Sequence, residues 1–515
     1  MMFRYFIART LTLLAFLSSS AMSQTPVGRT IPGRFIVTYR NGAIPGAAES
    51  NARTAGASLL QRHEALGIAI VQAPVAAAST VRTRLATDPA IASVVEDRVV
   101  TAHTISVRAA NASTSTPDAL YNSPQGWAVR QVGGFGSATA PGPWSATTGS
   151  GIRIAILDSG VDATHPDIAP NLALSLTEID QNATTGLPSA CDDGSPQDQQ
   201  GHGTWTASLA AAAAGPGTGL VAGVAPGATI LNIKVLERMP SPTTSANDPT
   251  GCNAGEASGL LSWVLAGIED AVTQHADIIS MSLGTLVDIT TGDGAGLQAT
   301  FDQVTHAASN AGVILIASAG NDGFNLGNQR YIELPAQSRD VLAIVASTNP
   351  ACAENLAPIV SGTAAPCAAG PVTLPYYSNY GVPLNALAAP GGSYPAGPNS
   401  DTTVASGWIW GACSEGLPAT VSGAPANPGQ SFGCFGLGHA AYVQAMGTSA
   451  SAPLAAGAAA LILAANPTWS AATVMAALRS SAVSIPTLPV RQINVSALIV
   501  PAAPHLQHIV EIPQR

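Results

Sequence analysis

Five apolar segments, set apart by stretches with helical patterning, constrain this chain more than any other feature. They are GIRIAILDSG from Gly151, ATILNIKVL from Ala228, ADIISMSLG from Ala276, GVILIASAG from Gly312 and DVLAIVAS from Asp340. Strands that alternate with helices connect by right-handed crossovers, so the segments predict an α/β fold with a mostly parallel central sheet and helices on both faces. In such sheets, ligands and chemistry gather beyond the carboxyl ends of the strands. Asp158 and Asn321 both fall where an apolar strand runs out.

At 515 residues the chain can bury a large core and carry a second, smaller domain. A net charge of −10, with charged residues at only 10% and no basic stripe, argues against a nucleic-acid partner. Arg4 and Arg9, an apolar run at 11–17 and the small residues Ala21-Met22-Ser23 predict a secretory signal over residues 1–23, hence an extracellular or periplasmic protein without a membrane anchor once the signal is removed. The Ala-rich stretches near Leu209 and Leu461 read as too interrupted to span a bilayer. Six cysteines without a CxxC pair suit disulfides better than zinc, and neighbour pairing is expected: Cys191 with Cys252, Cys352 with Cys367, Cys413 with Cys434. They sit in long irregular insertions, roughly 171–200, 237–256, 349–371 and 391–438. Near the N-terminus, RFIVTY at 34–39 and IASVVEDRVV at 91–100 predict strands, with helices at 57–66 and 79–87 between them. The polar stretch 108–117 predicts an exposed linker.

Three short segments carry the chemistry: DSGVDATHPD beginning at Asp158, GHGT around His202, and GTSAS around Ser449. A serine hydroxyl attacks a carbonyl poorly at neutral pH unless an imidazole takes its proton, and that imidazole needs a buried carboxylate to fix its tautomer. Singly, each segment is an ordinary turn or helix cap. Together, in the order Asp, His, Ser, they resemble the subtilisin-like serine proteases from about residue 121 to 482. The order, and a serine segment GTSAS that is not GxSxG, separate the chain from α/β-hydrolases.

The resemblance implies a subtilisin-like three-layer αβα domain over residues 121–500, Ser449 as nucleophile, His202 as base and Asp158 as its orienting carboxylate. Asn321 in ASAGND matches the family's oxyanion-hole asparagine. Ser258, Gly259, Leu260 and Leu261, ahead of Trp263, match one substrate-pairing edge, and Ser282, Leu283 and Gly284 the opposite one. Residues 317–320, with Ala319 and Gly320, match a wall of the first specificity pocket. Extended protein or peptide substrates follow, and no cofactor is required for the chemistry. Glu333, two residues before Pro335, aligns with the base of that pocket, where a buried carboxylate would favour Arg or Lys. The preceding loop length shifts that alignment, and a solvated loop charge is the simpler expectation. Asp167 matches a structural calcium ligand, although the loop GPGTGLVAG has no Asn side chain where the family supplies one. Trp205, Ser208 and Leu454 also depart from the family.

Residues 31–104 resemble the family's inhibitory propeptide, implying a small α+β ferredoxin-like domain, with 105–120 as linker and processing region and 501–515 as a tail. The implied product is a secreted, monomeric zymogen of a serine endopeptidase with its own propeptide as intramolecular inhibitor. Two other readings follow from the same residues. A sedolisin-like acid peptidase shares GTSAS-x-P but uses a glutamate base and an oxyanion aspartate, where this chain has His202 and Asn321. An inactive secreted binding protein would carry a broken triad, and no member is missing.

Overall fold

In a computed structural model the described residues are 28–103, 106–110, 116–133, 142–180, 189, 191–240, 251–252, 255–328, 330–352, 369–381, 384–393, 407–415 and 440–499. The expected signal, the tail, Cys367 and Cys434 lie outside them.

The N-terminal unit runs β1 (Thr30–Tyr39), α1 (Ala48–Ala55), β2 (Ser58–His63), β3 (Ile68–Gln72), α2 (Ala78–Ala86) and β4 (Ile91–Ala102). Its strands form an antiparallel sheet in the order β4-β1-β3-β2, the ferredoxin-like arrangement. The helix expected at 57–66 is not formed. Helix α1 lies just upstream and stops at Gly56, whose φ of 98° is left-handed, and the following residues pair with β3 instead. The apolar positions of ASLLQRHEAL fit either period, and the partner strand decides. The linker expected at 108–117 is likewise partly a strand: β5 (Ser106–Ala110) pairs with a strand close to Ser449 described below.

A short helix, α3 (Trp127–Gln131), precedes the large domain. Its chain order continues β6 (Arg153–Asp158), β7 (Leu172–Thr177), α4 (His202–Ala211), β8 (Thr229–Lys234), β9 (Leu236–Arg238), β10 (Ala257–Leu260), α5 (Leu261–Thr273), β11 (Ile278–Met281), β12 (Leu283–Asp288), α6 (Gly292–Asn310), β13 (Ile314–Ser318), β14 (Tyr331–Leu334), β15 (Val341–Ser347), β16 (Ala386–Pro390), β17 (Ile409–Ala412), β18 (Tyr442–Met446), α7 (Thr448–Ala465) and α8 (Ala471–Ser481). The central sheet is parallel in the order β16-β15-β13-β11-β6-β8-β7. It contains all five expected strands, together with β7 and β16. Helices α4 and α7 pack on one face and α5 and α6 on the other, giving the three-layer αβα domain. Helix α7 is long and apolar enough to cross a membrane, contrary to the reading of that stretch, but its residues from Thr448 to Ile462 are buried against the sheet.

The N-terminal sheet docks on α5 and α6. Ile36, Ile68, Ile70, Val95 and Val100 share one buried cluster with Trp263, Leu297 and Phe301. Asp97, fully buried, accepts the Ser262 N–H in the first turn of α5 at 3.1 Å and the Arg34 Nε–H at 2.9 Å. The carboxylate thus caps a helix N-terminus and neutralises a buried guanidinium. Cys191 and Cys252 form a disulfide as expected, and Cys352 and Cys413 are disulfide-bonded as well. Replacing Asp97 by Ala uncaps the Ser262 N–H and leaves Arg34 with the longer contact to Asp180 at 3.4 Å, so chemical denaturation should show a loss of about 1–3 kcal/mol in stability. An unchanged unfolding midpoint would contradict this account of the docking.

Candidate active site

Asp158 ends β6, His202 opens α4 and Ser449 lies in the first turn of α7. Three elements that share the core therefore deliver the three side chains to the carboxyl edge of the sheet. His202 and Asp158 are both buried, with Nδ1 2.7 Å from Asp158 Oδ1. The Ser159 N–H donates to the same carboxylate oxygen at 2.7 Å, and the Thr206 hydroxyl to the other at 3.0 Å. Accepting from these donors, Asp158 holds Nδ1–H of the imidazole, which leaves Nε2 with its lone pair.

Asp198 fixes the start of α4. Its buried carboxylate accepts from Gly201 N at 2.7 Å, Thr204 N at 2.9 Å, Thr204 Oγ1 at 2.6 Å and Ser159 Oγ at 3.0 Å. Burial pushes its pKa up against these hydrogen bonds. Ser159 also accepts the Gly203 N–H at 2.9 Å, tying the Asp158 turn to the His202 helix. The sequence reading missed Asp198, although its position just ahead of GHGT is a capping signal.

Asn321 lies just past β13. Its Oδ1 accepts from Thr448 N at 3.0 Å and Thr448 Oγ1 at 2.8 Å, while its Nδ2 is buried with no partner among the described residues. The amide is thus anchored on Thr448, one residue before Ser449, with its N–H end free to donate. The Ser449 hydroxyl donates to Ser282 O at 3.1 Å, and the Ser282 hydroxyl to Ser449 O at 2.9 Å.

The groove beside Ser449 is occupied by the chain itself. Strand β4 pairs antiparallel with β10, placing Thr101 opposite Ser258, Val100 opposite Gly259 and Val99 opposite Leu260. It pairs also with β12, with Ala102 opposite Leu283 and Thr101 opposite Gly284. His103 follows: its N–H donates to Ser282 O and its carbonyl accepts the Ser449 N–H, each at 3.1 Å. Ser258, Gly259, Ser282, Leu283 and Gly284 therefore converge on one bound strand. Leu261 does not, since its side chain enters the α5 core. Ala319 and Gly320 lie between β13 and Asn321, and Gly320 O accepts the Asn379 N–H.

Glu333 is not a solvated loop charge. It lies on β14 opposite Leu286 of β12, with only 1% of its surface exposed. Burial, aided by the Asp322 charge, pushes its carboxyl well above the usual carboxylate range.

Asp167 does not fit a calcium site. Its carboxylate accepts from the backbone N–H groups of Gly219, of Leu220 at 3.1 Å and of Val221 at 3.3 Å, and from the Tyr442 hydroxyl at 2.9 Å. A cation needs converging oxygens, and these are converging donors. Among the described residues no group of three or more His, Cys, Asp or Glu side chains could hold a metal ion.

A buried carboxylate–imidazole pair, a serine in the first turn of a helix and an amide with unused N–H groups, all on one αβα scaffold, are the residue types of a serine hydrolase. Residues 149–500 match the subtilase family, and the chain belongs to that family. It is similar to thermitase from Thermoactinomyces vulgaris, 36% identical over 210 residues that cover 41% of this chain and 60% of that protein. It is similar also to subtilisin E from Bacillus subtilis strain 168, 28% identical over 337 residues, 65% of this chain and 61% of that protein. The matches thus span about three fifths of these relatives. Among solved structures, the epidermin leader peptide processing serine protease of Staphylococcus aureus superposes with a TM-score of 0.59 at 18% identity, over 88% of this chain and 92% of that one. Fervidolysin from Fervidobacterium pennivorans gives 0.59 at 17% identity, over 92% and 62%. At these identities the likeness is one of fold.

Burial raises the Asp167 pKa to about 6, above its ordinary value of 3.8. The folded state therefore holds this proton more tightly than the unfolded chain, and the stabilisation is complete below about pH 4 and lost as pH rises through about 6. Asp167→Asn should flatten the pH dependence of the unfolding free energy across that window. A slope unchanged by the substitution would refute the assignment.

Proposed function

We propose that the protein is a secreted serine endopeptidase made as a zymogen, hydrolysing peptide bonds through an acyl-enzyme on Ser449. The observation that carries this reading is the strand β4, seated between the β10 and β12 edges and ending with a carbonyl on the Ser449 N–H. Backbone pairing of that kind gives affinity for any extended peptide. His202 takes the Ser449 proton as the hydroxyl adds to the carbonyl carbon, while Asp158 steadies the imidazolium through Nδ1–H. Charge developing on the carbonyl oxygen meets the Ser449 N–H and Asn321 Nδ2. Collapse expels the amine, which receives the proton from His202, and water then repeats the sequence to release the acid.

The N-terminal unit acts as the inhibitor, because its last strand fills the groove that a substrate would use. Disulfide bonding at four described cysteines, Cys191, Cys252, Cys352 and Cys413, supports an oxidising, extracellular or periplasmic location. The chain is read as a monomer acting on protein or peptide substrates.

A serine-directed organophosphonate should label the processed protein on Ser449, and Ser449→Ala should lower turnover of an unfolded protein substrate by at least about 10⁴-fold. No label on Ser449 would refute the reading. Asn321→Ala should cost about 10²–10³ in kcat with little change in KM, since the lost donor acts on charge present only in the transition state. An equal rise in KM with kcat preserved would place Asn321 in ground-state binding instead.

A further inference from the structure

The chain passes Ser449 in extended form on both sides. Before the nucleophile, β4 pairs with β10 and β12. After it, β5 pairs antiparallel with β18, Ser106 opposite Met446, three residues ahead of Ser449. Between the two strands stands His103, with its carbonyl on the Ser449 N–H and its side chain in the pocket between β12, β13 and β14.

That pocket holds an imidazole between two polar side chains. The Ser318 hydroxyl lies 2.7 Å from His103 Nδ1, within hydrogen-bond distance. His103 Nε2 faces Glu333 Oε1 at 3.2 Å. Neither Glu333 oxygen has a hydrogen-bond partner among the described residues, so the carboxyl has no other group to satisfy it. Gly284 makes the space: a Cβ there would lie 2.2 Å from Glu333 Oε1 and 2.5 Å from His103 Cε1. Burial lowers the His103 pKa to about 4, Asp322 opposing and His202 adding to the shift, and it raises that of Glu333. Both shifts favour the uncharged forms of the two groups. A lysine would bring no second nitrogen to Ser318, and a phenylalanine would leave both Ser318 and the buried carboxyl without a partner.

Resting on the peptidase reading above, we infer that this is a histidine-selecting primary specificity pocket, with Ser318 and Glu333 as its determinants, and that the enzyme cuts its own chain on the carboxyl side of His103. In that step Ser449 Oγ bonds to the His103 carbonyl carbon, and the bond from that carbon to the next nitrogen breaks. The freed amine takes the proton from His202, and water hydrolyses the His103 ester to leave a carboxylate.

The test uses the full-length chain, expressed and allowed to mature, with active sites counted by the organophosphonate. On a peptide library varied before the scissile bond, kcat/KM per labelled site should be at least about tenfold higher for histidine than for phenylalanine or lysine. The ratio should shrink at least about fivefold in Glu333→Gln and, separately, in Ser318→Ala. The N-terminal domain released on maturation should end at His103. A ratio of one or below in the labelled enzyme, or ratios unchanged in both variants, would overturn the pocket assignment while leaving the peptidase reading intact. Failure to label Ser449 would overturn both.

Discussion

Two strand edges, β10 and β12, flank the nucleophile, and their backbone groups need a partner strand between them. Buried N–H and C=O groups without partners are costly, so whatever fills the gap is held by its backbone in extended form. Here β4 fills it, and much else follows. The pairing fixes the N-terminal sheet over α5 and α6, sets the register that brings His103 to Ser449, and presents alternate side chains to the pockets along the groove. One set of hydrogen bonds thus serves as domain interface and, in the proposed function, as substrate mimic.

The buried polar network behind the groove is what makes its chemistry directional. Asp158 is saturated by Ser159, Thr206 and His202, Asp198 ties the His202 helix to the Asp158 turn, and Thr448 turns the Asn321 amide so that its N–H end stays available. Asp158 sits at a strand end, and His202 and Thr448 at helix starts, of the αβα domain. Their positions are therefore set by the packing of α4 and α7 against the sheet, whose side chains are almost entirely excluded from water.

How much of this could be read in the chain depended on whether local chemistry or long-range pairing set the outcome. The parallel sheet was legible because its strands are apolar runs bounded by helical stretches. Asp158, His202, Ser449 and Asn321 stand out in the sequence because nucleophilic chemistry demands those residue types in turn-rich contexts, and the structure pairs His202 with Asp158 and anchors Asn321 beside Ser449 on Thr448. Segment 57–66 was not legible, since its apolar spacing suits a helix and only β3 makes it a strand. Glu333 was misjudged because a carboxylate in a charge-poor loop reads as solvated, and its burial follows from β14 pairing with β12. Asp167 matched a ligand position by spacing, yet the Gly219–Val221 backbone turns donors toward it. His103 carried no local signal; its place is fixed by a register spanning two domains.

The central claim is that the segment ending at His103 is the site's first substrate. Intact-mass measurement of the purified chain with and without Ser449→Ala tests it directly. The account predicts two fragments from the active chain, divided after His103, and a single undivided chain from the serine variant. Division of the variant at the same bond, or an active chain that remains undivided, would contradict it.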